Sequence, residues 1–120
     1  MKIMVVDDEK GCTELLRRML EQMGHQKIEA VSASNVLKRL HAEPYDLLFL
    51  DYGMRELQGD VVCRYIRQDA ALKTLPIIIV TGYDHLTAPF FKSFGANDVL
   101  YKPVEYDNLK RIIQPYLKAA

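Results

Sequence analysis

The sequence predicts an α/β fold of three layers, with a five-stranded parallel sheet between helices. Three observations predict it. Four short apolar runs are continuous rather than alternating. Helical periodicities lie between them. The two patterns take turns along the chain, five strand–helix units in succession. Continuous runs suit strands buried on both faces, as in a parallel sheet covered by helices. Regular alternation of strand and helix implies right-handed crossovers.

The first run is Ile3-Met4-Val5-Val6. Leu15, Leu16, Met19, Leu20 and Met23 then repeat at helical spacing, with Gly24 as the stop. Lys27-Ile28-Glu29-Ala30-Val31 alternates more and reads as an edge strand. Val36, Leu37 and Leu40 mark a short helix that ends before Pro44. Leu47-Leu48-Phe49-Leu50 is the next buried strand. Val61, Val62, Tyr65 and Ile66 form a third helix after a turn at Gly59. Ile77-Ile78-Ile79-Val80 follows. Pro89 fits best in the first turn of the fourth helix, which makes that helix start late and stay short. Residues 82–88 then form a long irregular loop. Phe90, Phe91 and Phe94 belong to this helix, and Gly95 ends it. Val99-Leu100-Tyr101 is the last strand. Leu109, Ile112, Ile113, Tyr116 and Leu117 make the fifth helix. Pro115 lies late in it and would cost about 3 kcal/mol if truly interior.

Composition bounds the function. The chain has 120 residues, 49% hydrophobic and 27% charged, the profile of one globular domain rather than a disordered segment. No linker, repeat or low-complexity stretch divides it, so residues 1–120 read as a single domain. Lys plus Arg equals Asp plus Glu, 16 each, so bulk charge offers no argument for nucleic acid or membrane binding. Cys12 and Cys63 lie in predicted helices without ligand-type spacing and read as reduced core thiols. No run approaches the ~18 apolar residues of a membrane span. The N-terminus enters a strand pattern at once, without a signal peptide, which points to the cytoplasm.

In open α/β sheets ligands bind beyond the carboxyl ends of the strands. Asp7-Asp8-Glu9 follows the first run, Asp51 the third, Thr81 the fourth and Lys102-Pro103 the fifth. Carboxylates, a hydroxyl and an ammonium thus gather at one edge. Two carboxylates about 4 Å apart repel by about 4 kcal/mol at an effective dielectric near 20. Asp7, Asp8 and Asp51 therefore call for a cation. An oxygen-only set completed by water suits Mg²⁺, and the absence of His or Cys argues against zinc. One carboxylate can then attack phosphorus. The metal and Lys102 would neutralise charge on the phosphoryl oxygens, and Thr81 could donate to one of them.

These residues resemble the receiver domain of bacterial two-component response regulators. The matching pieces are Val5-Val6-Asp7-Asp8-Glu9, Tyr45-Asp46-Leu47 leading to Leu50-Asp51, then Met54 and Gly59. Pro76-Ile77-Ile78 leads to Thr81-Gly82, followed by Gly95-Ala96-Asn97-Asp98 and Lys102-Pro103. The resemblance covers essentially the whole chain and implies a doubly wound (βα)5, flavodoxin-like sheet of order 2-1-3-4-5. It implies that Asp51 is the phosphoacceptor. Asp8, Asp51 and the Gly53 backbone carbonyl would hold Mg²⁺ directly, and Asp7 through water. Lys102 would pair with the phosphoryl group and Thr81 would follow it on activation. A cis Lys102–Pro103 bond is implied too. The donor would be a phosphohistidine on a sensor histidine kinase or phosphotransfer protein, or a small donor such as acetyl phosphate. The output would be a downstream protein partner or a fused output domain, met through the fourth helix, fifth strand and fifth helix. A homodimer is compatible with this. No separate substrate would be turned over, and neither nucleic acid nor membrane is an expected partner.

Four positions depart from the family pattern. Arg55 stands where proline is usual. Val99 stands where an aromatic often reports phosphorylation through the threonine; Tyr101 is nearby and is expected to face the other side of the strand. Pro89 and three phenylalanines within five residues are unusual for the fourth helix, so one phenylalanine is expected on the surface, joining a partner interface. Tyr83 sits at the site mouth, where Gly53 would admit water and Tyr83 would shield it. His25, His41 and His85 do not cluster, and His85, in the loop after Thr81, reads as a surface histidine; Lys110-Arg111 reads as a solvated face, and Glu9 as a cap or shield for the first helix. Two other functions compete. One is a receiver-fold interaction module not regulated by phosphorylation. The other is a small phosphohydrolase, which would place a second Asp where Gly53 stands.

Overall fold

The computed structural model describes residues 1–55 and 57–117. The expected single domain of residues 1–120 therefore ends in residues 118–120, outside the described part. The strands are β1 (Lys2–Val6), β2 (Lys27–Ala30), β3 (Leu47–Asp51), β4 (Ile77–Thr81) and β5 (Asp98–Tyr101). The helices are α1 (Lys10–Gln22), α2 (Val36–Ala42), α3 (Gly59–Gln68), α4 (Ala88–Lys92) and α5 (Tyr106–Ile113). All strand pairs are parallel, in the order β2-β1-β3-β4-β5. The predicted architecture is thus the observed one.

Strand alternation sorts the core into two halves. Met4, Val6, Leu48, Leu50, Ile77, Ile79 and Val99 face α2, α3 and α4. Ile3, Val5, Leu47, Phe49, Ile78, Val80 and Leu100 face α1 and α5. Every residue of β3 and β4 is buried, which is why neither strand shows an alternating pattern. β2, at the edge, has no fully buried residue.

Helix faces follow the periodicity with two exceptions. Leu15 is 39% exposed and Tyr65 is 53% exposed, although both were counted on apolar faces. Leu16 and Leu20 carry the buried stripe of α1, and Cys63 takes the core position on α3. The buried Cys63 thiol is pushed up to about 12 by loss of solvent. Cys12, by contrast, is only half-buried.

Both disruptive prolines find places that spare the helices. Pro89 occupies the first turn of α4, which spans only five residues as expected. Gly95, at φ 113°, turns the chain out after it. Phe94 lies in that turn rather than in the helix. Pro115 opens a 3₁₀ turn, Gln114–Tyr116, beyond the last residue of α5. Its missing N–H therefore breaks no α-helical bond.

Arg67 ties α3 to the far side of the sheet. Its guanidinium donates to Gly95 O at 2.8 Å, Leu75 O at 2.7 Å, Lys73 O at 3.0 Å and Asn97 Oδ1 at 2.9 Å. Asn97 Oδ1 also accepts from the Ile77 N–H, the first of β4. One planar fork thus sets the starts of β4 and β5 and the end of α4 together. Replacing Arg67 with Met keeps the stem but strips these carbonyls of their donors. Arg67→Met is expected to lower unfolding stability by about 2–3 kcal/mol, read as a shifted urea midpoint at unchanged slope.

Candidate functional site

The sheet order reverses direction at β1, with β2 on one side and β3 on the other. A crevice opens there at the carboxyl ends of the strands. Asp7 and Asp8 follow β1, and Asp51 is the last residue of β3. Each of the three offers a carboxylate oxygen within 4.8 Å of the others. Glu9 and Lys10 continue from them into α1. The crevice widens into a cleft of about 900 Å³ whose walls include Asp7, Asp8, Glu9, Ser32, Gly53 and Arg55.

Lys102 projects into the same place from the end of β5. Its Nζ lies 3.0 Å from Asp7 Oδ2, 3.6 Å from Asp51 Oδ1 and 3.7 Å from Glu9 Oε1. Asp7 Oδ1 accepts the Glu9 N–H at 2.9 Å. No donor points squarely at buried Asp7 Oδ2; its compensation is the Lys102 charge. Burial alone would drive the ammonium toward neutrality. The negative charges of Asp7 and Asp51 outweigh it, so Lys102 holds its proton more tightly than usual.

Asp51 responds in the opposite sense to what one nearby ammonium would produce. Its pKa is pushed up to about 6, first by burial and then by Asp7, with Asp8 adding to it. Lys102 and the nearby Gly53 N–H pull it down but do not prevail. A single ammonium is shared among more carboxylates than it can neutralise.

Thr81 is buried at the end of β4, and its Oγ1 accepts the Tyr83 N–H at 3.0 Å. That bond uses an oxygen lone pair and leaves the O–H to donate elsewhere. The Lys102 N–H donates to Thr81 O at 2.7 Å, locking the ends of β4 and β5 together. The Lys102–Pro103 peptide is cis. Gly59 is required by close approach: a Cβ there would stand 2.9 Å from the Asp51 carbonyl oxygen.

All the residues singled out from sequence therefore meet at one edge: Asp7, Asp8, Asp51, Gly53, Thr81 and Lys102. Glu9 occupies the N-cap of α1 without a side-chain cap bond and turns its carboxylate toward Lys102. Arg55 reaches the site through its backbone, whose N–H donates to Asp8 Oδ2 at 3.3 Å. His85 is exposed, packed edge-on to Tyr83.

One expectation is wrong. Tyr101 does not face away from the side that Val99 faces. Residues two apart on a strand share a face, and both pack into the α2–α4 half of the core. The Tyr101 hydroxyl donates to the Leu86 carbonyl in the β4–α4 loop. No sequence signal marks a backbone carbonyl as a partner, so Leu86 was not identifiable beforehand. Tyr52, next to Asp51, was missed as well. It is the hub of an aromatic cluster with Tyr83, Phe90, Phe91 and Phe94, at centroid distances of 5.4–6.1 Å. Phe91 and Phe94 are buried and Phe90 is 40% exposed, the single surface phenylalanine expected.

The raised Asp51 pKa has a consequence for stability. The unfolded chain binds this proton less tightly, so the contribution is fully present below pH 4 and lost as pH rises through about 6. Ionised Asp51 thus weakens the metal-free protein at neutral pH. With a chelator present, Asp51→Asn is expected to exceed wild type by about 1–2 kcal/mol at pH 8, allowing for screening by the open cleft. The gain should disappear at pH 4 in urea titrations at the two pH values.

Residues 3–114 match the family described as the response regulator receiver domain. The chain is 33% identical to Protein PilH of Pseudomonas aeruginosa, over 97% of each chain. It is 35% identical to the alkaline phosphatase synthesis transcriptional regulatory protein PhoP of Bacillus subtilis, over 85% of this chain but only 42% of PhoP. Among solved structures, the receiver domain of NtrX from Brucella abortus superposes with a TM-score of 0.86 at 27% identity, over 99% of this chain and 100% of that one. Sheet order, the acidic crevice and these similarities agree, and the chain belongs to the response regulator receiver domain family of two-component systems.

Proposed function

We propose that residues 1–120 act as one phosphorylation-controlled receiver domain in which Asp51 is the phosphoacceptor. The observation that carries this reading is the crowding of Asp7, Asp8 and Asp51 within 4.8 Å, beside one ammonium 3.0 Å from Asp7 and 3.6 Å from Asp51. The donor set is all oxygen and its negative charge is under-compensated, so the residues fit a hard divalent cation such as Mg²⁺. Asp8, Asp51 and the Gly53 carbonyl would hold it directly, with Asp7 through water. When bound, Mg²⁺ supplies positive charge for the phosphoryl oxygens.

The remaining work belongs to the chain. An Asp51 carboxylate oxygen attacks the phosphorus of a phosphohistidine on a sensor kinase or phosphotransfer protein. The P–N bond breaks and its electron pair stays on the imidazole, which takes up a proton. Lys102 pairs with the transferred group, and the Thr81 O–H donates to one of its oxygens. The phosphoryl group then favours whichever arrangement of Thr81 and its loop bonds it better, and affinity for a partner shifts accordingly. That partner is a protein or a fused output domain, met through α4, β5 and α5, with the exposed Phe90 at its border. Receiver domains are signalling modules, and this one turns over no separate substrate. The reading places it in the cytoplasm; no described helix is long and apolar enough to cross a membrane.

Acetyl phosphate with Mg²⁺ tests the reading directly. Intact mass is expected to rise by one phosphoryl group in wild type, and not in Asp51→Asn or with a chelator. A wild-type chain that gains no mass from acetyl phosphate or a phosphorylated kinase would instead be an interaction module that phosphate does not regulate.

A further inference from the structure

β5 turns Val99 and Tyr101 toward the α2–α4 half of the core. Val99 is buried and has nothing to donate. Tyr101 is the register partner of Thr81 on the neighbouring strand, and its ring is half-buried. Its hydroxyl donates to the carbonyl of Leu86.

That bond is the first of a continuous series. The Leu86 N–H donates to Tyr83 O at 3.1 Å. The Tyr83 N–H donates to Thr81 Oγ1 at 3.0 Å. The Tyr83 ring lies over Gly53, where an added Cβ would sit 3.0 Å from Cε2 and 3.1 Å from the phenol oxygen. Gly53 lies two residues after Asp51 and lines the cleft with Asp7 and Asp8. Tyr83 is 47% exposed, with its ring set edge-on to Tyr52 and His85. Its backbone belongs to the loop whose Leu86 carbonyl accepts the Tyr101 hydroxyl.

We infer that Tyr101 is a positioning residue that sets the lifetime of the phosphoryl group on Asp51, by holding Leu86 and so keeping Tyr83 over the Gly53 side of the mouth. The inference rests on the phosphoacceptor reading of Asp51. The step it controls is hydrolysis. A water oxygen bonds phosphorus, the bond from phosphorus to the Asp51 oxygen breaks, and Asp51 leaves as a carboxylate. Inorganic phosphate departs with the water oxygen, and the water proton goes to solvent. A ring over Gly53 narrows the approach of that water. Losing the Tyr101 hydroxyl removes one of the bonds that hold this loop, so arrangements with Tyr83 away from Gly53 become more populated.

Tyr101→Phe tests this, because it removes the hydroxyl and keeps the ring. Hydrogen exchange at the Tyr83 and Leu86 amides of the unphosphorylated, metal-free protein is expected to speed up about three- to tenfold, the factor for one net hydrogen bond. After labelling with acetyl phosphate and Mg²⁺, the phosphoryl half-life is expected to shorten by a similar factor. In a Tyr83→Ala background, where the half-life is already short, Tyr101→Phe should shorten it no further. A purely structural role would not give that cancellation. Unchanged exchange with unchanged half-life overturns the inference, as does equal shortening in both backgrounds. If wild type takes up no phosphoryl group, the phosphoacceptor reading falls and this inference with it. If it does and the half-life ignores Tyr101→Phe, only the role of Tyr101 falls.

Discussion

The rest of the site depends on a charge imbalance. Asp7, Asp8 and Asp51 converge where β1 and β3 end, and Lys102 is the ammonium set among them. The cost shows in how both partners hold their protons. Lys102 holds its proton more tightly, as expected of a cation among anions. Asp51 also holds a proton more tightly, because burial and Asp7 together exceed what one shared ammonium returns. One ammonium leaves the negative charge of this crevice under-compensated, which is the feature the proposed cation would answer. The local instability of this charge cluster is tolerable because the sheet beneath it is almost wholly apolar and buried.

Strand alternation divides the site between two layers. Asp7, Asp51 and Lys102 continue the side of the sheet that carries Val5, Phe49 and Leu100. Thr81 and Tyr101 continue the other side, with Ile79 and Val99. A group on Asp51 that bonded both Lys102 and Thr81 would bridge the two faces. The chain that follows Thr81 is thus the natural path outward. It is anchored on its own face by the Tyr101 hydroxyl and bordered by the aromatic cluster around Tyr52. Below it, Arg67 fixes the end of α4 to α3 and to both strand starts.

The departures from the family pattern acquire physical content in this arrangement. Val99 removes a hydroxyl from one rung of β5, and Tyr101 supplies one two residues later on the same face. Pro89 and Gly95 confine α4 to five residues, and Phe91 and Phe94 secure it from inside while Phe90 stays at the surface. Arg55 contributes a backbone donor to Asp8, which any residue but proline can give.

By itself the sequence determined the layer architecture, the parallel sheet and the edge at which chemistry gathers. Buried parallel strands leave unbroken apolar runs, and polar residues that end several such runs must share one rim. It also foresaw a short α4 and one exposed phenylalanine, because Pro89, Gly95 and crowded aromatics act locally. Strand spacing already puts Tyr101 on the face of Val99, and only the tertiary structure decided what its hydroxyl meets. It also decided that Leu15 and Tyr65 stay outside, that Tyr52 gathers the aromatics, and that Arg67 fastens α3 to β4 and β5. Each of these depends on a backbone carbonyl or a neighbouring element brought close by folding. Spacing along the chain records which residues share a face, but not what lies opposite them.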